Sequence, residues 1–234
     1  MGSITVLRQL APPDSLPASL HPKATLSRQV LGICERLASL VLLAAASPVL
    51  VGSALAMTWR SGRTPLIAHR RVGWHGSPLW MLKLRTMWPV TSDAASGRWP
   101  RRWAWIEYID DNLGPQLKHP VDPRVTSPFA RFCRRHSIDE LPQLWHVVRG
   151  QMSLVGPRPM TEDELRRYYG PAAQEILQVR PGLAGLWQIS GRNRLTYAER
   201  RDLDLKLVRS RSARLYIEIL LRTVPEVLTG SGSW

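Results

Sequence analysis

The sequence predicts a helix-rich α+β protein in two parts: a hydrophobic helix-break-helix that enters a membrane and returns, and one small cytosolic domain with a β-hairpin and amphipathic helices. Three observations carry this expectation. From Leu37 to Trp59, 23 consecutive residues bear no charge, enough to cross about 30 Å of hydrocarbon as a helix. Ser47-Pro48 stands at the centre of that run, where a proline removes a backbone donor and crowds the preceding turn, so the helix must bend or break. The remaining chain alternates or recurs at helical spacing, and its total of 234 residues suits one core with a small appendage.

Residues 1–26, with prolines at 12, 13, 17 and 22, read as an extended, flexible lead-in. The membrane segment follows over 27–60. Lys23, Arg28 and Arg36 precede its apolar run and Arg60, Arg63, Arg70 and Arg71 follow it, so both ends carry the positive charge of a cytoplasmic flank. A segment that dips in and returns accounts for both flanks. The competing readings are a spanning helix, a cleaved signal with "AAAS" as its small-residue site, and a buried helix. Ser47 is placed to bond a carbonyl freed by Pro48.

The rest, 61–234, forms the cytosolic domain. "PLIAHRRVGWHGSPLWMLKLRTM" (65–87) alternates around turns at Gly73 and "HGSP" and reads as a β-hairpin followed by a strand. Residues 88–120 show no clean period and read as a loop with one short helix. Their tryptophans suit either the lipid interface or packing beneath the loop. "TEDELRRYYG", from Thr161, opens with three acids after a threonine and stops at Gly170-Pro171. A further helix to about Val179, a glycine-punctuated loop, and helices over Thr196–Val208 and Ala213–Leu228 complete the chain.

Lys and Arg number 32 against 18 Asp and Glu, a net charge of +14. That excess suits nucleic acid, an anionic membrane surface or phosphorylated substrates. No helix-turn-helix or aromatic RNA-binding motif accompanies it, so nucleic acid is not an expected partner, whereas anionic membrane lipid is. Cys34 and Cys133 stand alone, without the spacing of a disulfide framework or a zinc site.

Against this charge, Asp139 and Glu140 stand side by side in "RRHSIDELPQLWHVVRG" (134–150). Leu141, Leu144, Trp145 and Val148 fall at i, i+3, i+4 and i+7, one apolar helical face, with Gly150 as its stop. Pro142 is tolerated only in a first turn, which puts the helix start at about Ile138 or Asp139. Two acids there offset the helix dipole by about 0.3–1 kcal/mol each, and an isolated pair needs no other explanation. Here Arg134 and Arg135 precede them, and Arg158 is fixed between Pro157 and Pro159. Dipole and arginines together favour ionised carboxylates. An ionised carboxylate among phosphate-binding groups either holds a metal ion or attacks phosphorus.

"KLRTM" (83–87), "DPRVTSPFARFCRRHSIDELPQLWHVVRGQMSLVGPRP" (122–159) and "RPGLAGLWQISGRN" (180–193) resemble the bacterial sugar transferase family, the monotopic polyprenyl-phosphate phosphoglycosyl transferases. The resemblance runs from about Arg28 to Leu221 and includes Ser47-Pro48, with Glu35 where an Asp is usual. It implies a transferase on the cytoplasmic face of the bacterial inner membrane, with residues 61–234 as the catalytic domain. Asp139 attacks the β-phosphate of a UDP-sugar, UMP leaves, and undecaprenyl phosphate takes the phosphosugar from the covalent enzyme. Glu140, with Asp139, is associated with Mg²⁺. By the same resemblance Arg134 and Arg158 help hold the donor, and Lys83, Arg85, Arg124, Arg180 and Arg192 are further candidates for phosphate contacts. Each of these cations has a bland alternative as a solvated or lipid-facing charge, and Trp187 reads as core.

The chain departs from the family's usual residues at His69 (for Gln), His146 (for Asn) and Gln151 (for Asp), and lacks an aromatic pair after "LD" near its C-terminus. The sugar is not legible, and a homodimer is left open. The alternatives are a membrane-tethered basic protein gripping anionic lipid or nucleic acid without catalysis, and a degenerate family member acting as an assembly partner.

Overall fold

The long apolar run becomes helix α1, Leu26–Ser61, 36 residues or about 54 Å of helix. The computed structural model describes residues 26–87, 105–110, 124–125, 127–191 and 194–230; the lead-in therefore lies outside the described residues. α1 continues through Pro48 as one element rather than two separated helices. Pro48 has no N–H to offer the carbonyl of Ala44, and Ser47 Oγ donates to that carbonyl at 2.7 Å. The carbonyl freed by the proline is thus satisfied from the neighbouring side chain, as the sequence suggested.

One stripe of α1 is covered. Glu35, Ser39, Ser53 and Met57 are buried, and Leu43, Leu50 and Ala54 pack against the rest of the chain. Ile33, Leu37, Leu40, Val41, Val49, Val51 and Leu55 are exposed on the remaining surface. Spacings of three and four residues keep the covered stripe on one helical face, so both halves of α1, before and after Pro48, rest on the same domain.

Strands β1 (Leu66–Val72) and β2 (Pro78–Leu84) pair antiparallel, Ile67 opposite Lys83. The chain reverses through a short 3₁₀ turn in which His75 (φ 52°) and Gly76 (φ 76°) adopt left-handed conformations. The third strand is not the one the sequence suggested: β3, Ile106–Ile109, pairs parallel with the other edge of β1. It falls in the segment read as a loop with a short helix, most of which lies outside the described residues. Four residues of "IEYI" are too short for alternation to stand out. Buried Arg85 secures the pairing by donating to Thr64 O at 2.8 Å and bonding the Glu107 carboxylate of β3.

Helix α2 (Pro128–Arg135) leads through a 3₁₀ segment (Ile138–Gln143) into α3 (Leu144–Val148). Strands β4 (Ser153–Val155) and β5 (Gly182–Ala184), neither expected as a strand, form a second, parallel pair, with β5 inside the glycine-punctuated loop. Close backbone approach explains their glycines: a Cβ on Gly182 would overlap the backbone N of Gly156. Between these strands Thr161 and Glu164 form a capping box for α4 (Glu162–Glu164), which runs into a π turn over Leu165–Tyr169 and stops at Gly170, and α5 (Ala172–Ile176) follows. After β5 come α6 (Leu186–Ile189), α7 (Tyr197–Arg209) and α8 (Ala213–Thr229). Capping by Thr196 with Glu199, and by Ser212, starts the last two within a residue of where the sequence placed them.

The apolar interior is divided. Leu79, Leu144, Val147, Met152 and Leu154 pack beneath Leu43 of α1. Val72, Met160, Leu165, Tyr169, Ala173 and Ile176 fill the far end of the hairpin, where Val72 bridges Met160.

Candidate active site

The acidic pair lies where the chain leaves α2 and turns back against α1. Ser127 caps α2 by accepting the Ala130 N–H at 3.1 Å, and the helix ends at His136. Ser137 then takes a left-handed conformation, φ 54° and ψ 23°, which costs a non-glycine residue roughly 1 kcal/mol or more. That turn delivers Asp139 into the interior, 6% exposed, and leaves Glu140 half-buried.

The expected helix does begin at Ile138, but as 3₁₀ turns that include Pro142 and become α-helical only at Leu144. Three residues per turn instead of 3.6 shift the phase of the apolar face. Leu144, His146 and Val147 are buried, whereas Trp145 is 44% exposed. The spacing argument therefore misassigned Trp145.

Lys83 Nζ of β2 donates to Glu140 Oε1 at 2.8 Å. Asp139 faces Cys133, whose thiol is pushed up to about 11, first by burial and then by the Asp139 charge, against a hydrogen bond with Ser53 of α1. Ser53 and Met57 thus bring the second half of α1 up to the acidic pair. A carboxylate shielded from solvent beside a second one held by an ammonium is suited to nucleophilic attack on an electron-poor centre.

The other sequence candidates are dispersed. Arg134, on the last turn of α2, and Arg124, ahead of α2, are half-buried. Arg85 engages Thr64 and Glu107. Arg180 lies 5.0 Å over the ring of Trp74, and Arg158 lies 5.5 Å over that of Trp187. Lys83 stands opposite Ile67, while Met160, two residues after Arg158, bridges Val72. Five residues of strand separate those positions, about 17 Å. Lys83 and the "GPRP" turn therefore occupy opposite ends of the hairpin. Arg192 lies outside the described residues.

Around Arg158 a second cluster forms that sequence reasoning missed. Trp187, 5% exposed, is flanked by Arg158 and by Arg200, which lies 5.1 Å from its ring centre and 5.3 Å from that of Tyr197. Beneath them Asp204 is fully buried, accepting the Tyr169 hydroxyl at 2.9 Å. Burial raises its carboxyl to about 7, against hydrogen bonds from Tyr169 and from the Arg158 backbone. The available signal was an acid at 204 one turn from Leu207 on the buried face of a capped helix. Glu35, noted only as a departure, also proves structural: its carboxylate accepts from Ser153 Oγ, from the Leu154 N–H at 3.0 Å and from the Tyr216 hydroxyl.

Among the described residues no group of three or more His, Cys, Asp or Glu is placed to hold a metal ion. Asp139 and Glu140 supply two adjacent carboxylates. That donor set fits Mg²⁺, which is commonly held by one or two carboxylates with substrate phosphates and water.

The acidic pair is packed near a helix long and apolar enough, by length and composition, to cross a membrane. The profile of the bacterial sugar transferase family matches residues 26–230, and the chain belongs to that family. It is 37% identical over 211 residues to the exopolysaccharide production protein ExoY of Sinorhizobium fredii, covering 88% of this chain and 91% of that protein. It is 33% identical over 241 residues to the UDP-glucose:undecaprenyl-phosphate glucose-1-phosphate transferase of Caulobacter vibrioides, covering 100% of this chain and 80% of that one. Identity to the UDP-galactose-lipid carrier transferase of Erwinia amylovora is 41% over 180 residues, 76% of this chain but only 36% of that longer protein.

Proposed function

We propose that the chain moves a sugar 1-phosphate from a UDP-sugar to undecaprenyl phosphate at the cytoplasmic face of a bacterial inner membrane. The observation that carries this reading is the buried Asp139 beside a Glu140 held by Lys83, in a family whose relatives include transferases named for undecaprenyl phosphate.

In the first step an Asp139 carboxylate oxygen bonds to the β-phosphorus of the UDP-sugar. The bond from that phosphorus to the bridging oxygen breaks, and UMP leaves with the electron pair. In the second, a phosphate oxygen of undecaprenyl phosphate bonds to the same phosphorus, and the acyl phosphate bond breaks to regenerate the carboxylate. An anionic nucleophile is repelled by an anionic diphosphate unless cations intervene. Lys83, half-buried at the pair, and Arg134, five residues before Asp139, supply positive charge from the protein. Glu140 with Asp139 would hold a Mg²⁺ ion, which would supply further charge neutralisation on the diphosphate. Arg124, Arg158, Arg180 and Arg192 stay candidates for holding donor or acceptor phosphates. Arg85, bonded to Thr64 and Glu107, contributes through the sheet.

The membrane reading places residues 1–26 as a lead-in, 27–60 as a helix that enters and returns, and 61–234 as the catalytic domain. Attachment of both halves of α1 to one domain supports it, as does the exposed apolar surface between them. On α8, exposed Ile217, Leu221, Val224 and Leu228 recur at i, i+4, i+7 and i+11, an apolar stripe suited to lying against lipid. The acceptor's phosphate stays at the interface, so the site belongs there too.

The direct test is UMP release from a panel of UDP-sugars with undecaprenyl phosphate in nanodiscs, with and without EDTA. Release that stops on chelation supports the reading. No release from any UDP-sugar argues against the reaction, and unchanged release in excess EDTA against the metal.

A further inference from the structure

His146 and Gln151 touch each other across the end of α3. His146 is 5% exposed. Its Nε2 accepts the backbone N–H of Leu82 at 3.1 Å, and its Nδ1 lies 2.9 Å from Gln151 Oε1. A backbone N–H only donates, so Nε2 must be bare to accept from Leu82, and the one proton of a neutral ring then sits on Nδ1, facing the Gln151 amide oxygen. Both bonds form together only in the neutral Nδ1–H tautomer.

The position of these bonds matters. β2 is an edge strand, with β1 on one side only, and its outward N–H groups need partners. His146 supplies the acceptor, and the next residue along β2 is Lys83, which holds Glu140 at 2.8 Å. The strand carrying that ammonium is thus tied to the segment bearing the acidic pair at two successive residues, through backbone at Leu82 and through side chain at Lys83.

We infer that His146 and Gln151 form a positioning pair that fixes β2, and with it the Lys83–Glu140 contact beside Asp139, by holding the imidazole in one neutral tautomer. The Leu82 N–H, which can only donate, selects the tautomer, and the answering acceptor for the Nδ1 proton is Gln151. A carboxylate in its place would accept the same proton while favouring the imidazolium, whose Nε2–H cannot accept from Leu82. The surroundings agree with a neutral ring. Burial, chiefly, and Arg149 on the same helix depress its protonation, while Gln151 and the Trp80 backbone favour it; a proton on Nε2 for the Trp80 carbonyl would displace the Leu82 bond, so these two bonds are alternatives at that nitrogen. The nearby ionic groups on neighbouring elements are Arg36 of α1, close to Gly150, and the Lys83–Glu140 pair.

The activity readout rests on the transferase reading above, whereas a spectroscopic readout does not. The experiment compares wild type, Gln151→Glu, His146→Gln and His146→Leu in nanodiscs. Ring-nitrogen NMR of selectively labelled histidine reports the tautomer, and UMP release between pH 6 and 9 reports kcat and KM. Wild type should show the neutral Nδ1–H form at pH 7. Gln151→Glu should show imidazolium at that pH, with kcat reduced at pH 6.5 and recovered by pH 8.5 while KM changes little. His146→Gln, which offers both an acceptor and a donor, should keep kcat within about threefold of wild type. His146→Leu, which strands the Leu82 N–H, should lose about tenfold or more. An Nε2–H tautomer in wild type overturns the inference, as does a Gln151→Glu pH profile superimposable on wild type or full kcat in His146→Leu. Failure of every protein, wild type included, to release UMP contradicts the transferase reading and leaves the tautomer to decide the positioning pair.

Discussion

Glu35 of the hydrophobic helix accepts a 3.0 Å hydrogen bond from the backbone N–H of Leu154, joining α1 to the β4–β5 pair. The same oxygen accepts from Ser153 Oγ and from the Tyr216 hydroxyl of α8, so one carboxylate fastens the first and last helices to β4. Glu35→Ala leaves three donors without that acceptor, and each stranded buried donor costs about 1–3 kcal/mol. Thermal unfolding in detergent should show a loss of roughly 3 kcal/mol or more, with Glu35→Gln milder.

Attachment of both halves of α1 to one domain predicts which side its ends face. Single cysteines at Gln29 and at Ser61, in a Cys34→Ala background, should both react with a membrane-impermeant maleimide from the cytoplasmic side. Labelling of the two positions from opposite sides would establish a spanning helix instead.

At Gly182 the approach of β5 to β4 leaves no room for a methyl group. Gly182→Ala must push the strands apart, breaking the bonds from Gly182 N–H to Pro157 O at 2.8 Å and from Gly156 N–H to Ala184 O at 2.9 Å. Overpacking at such a site typically costs about 1–3 kcal/mol, and broken backbone pairs add to it. Chemical denaturation should place this variant below Gly185→Ala, which meets chiefly a side-chain amide and one carbonyl.

Asp204 gives a pH dependence with a definite sign. Its carboxyl is raised from the usual 3.8 to about 7, chiefly by burial, so between those values the folded protein binds more protons than the unfolded chain. Its contribution to stability is therefore present below about pH 4, declines as pH rises, and is lost above about 7. Asp204→Asn keeps an acceptor for the Tyr169 hydroxyl and removes the titration. The variant should gain stability relative to wild type as pH rises from 4 to 7; a constant difference across that range would show that Asp204 does not titrate there.

Much of this was readable in the residues because local signals agreed with tertiary ones. The uncharged run gave α1, the turn residues around Gly73 gave the hairpin, and the helical stretches from Thr196 and from Ala213 gave α7 and α8. Asp139 and Glu140 stood out because they open a helix directly after Arg134 and Arg135, in the stretch that carries the family resemblance. What escaped depends on partners distant in sequence. β3, β4 and β5 are three or four residues long and exist only because another backbone lies alongside. The exposure of Trp145 follows from 3₁₀ turns imposed around Pro142, which an α-helical period cannot anticipate. The roles of Glu35 and Asp204 come from the donors brought to them, and the separation of Arg158 from Lys83 comes from the strand register.

The central claim, that the Asp139 carboxylate carries the phosphosugar, is tested most directly by intact-protein and peptide mass spectrometry after mixing with a UDP-sugar and no acceptor. A phosphohexose adduct should appear on the peptide containing Asp139, disappear when undecaprenyl phosphate is added, and be absent from Asp139→Asn, which should keep its fold and lose at least about a thousandfold in turnover. Absence of any adduct, together with wild-type turnover in Asp139→Asn, would contradict it.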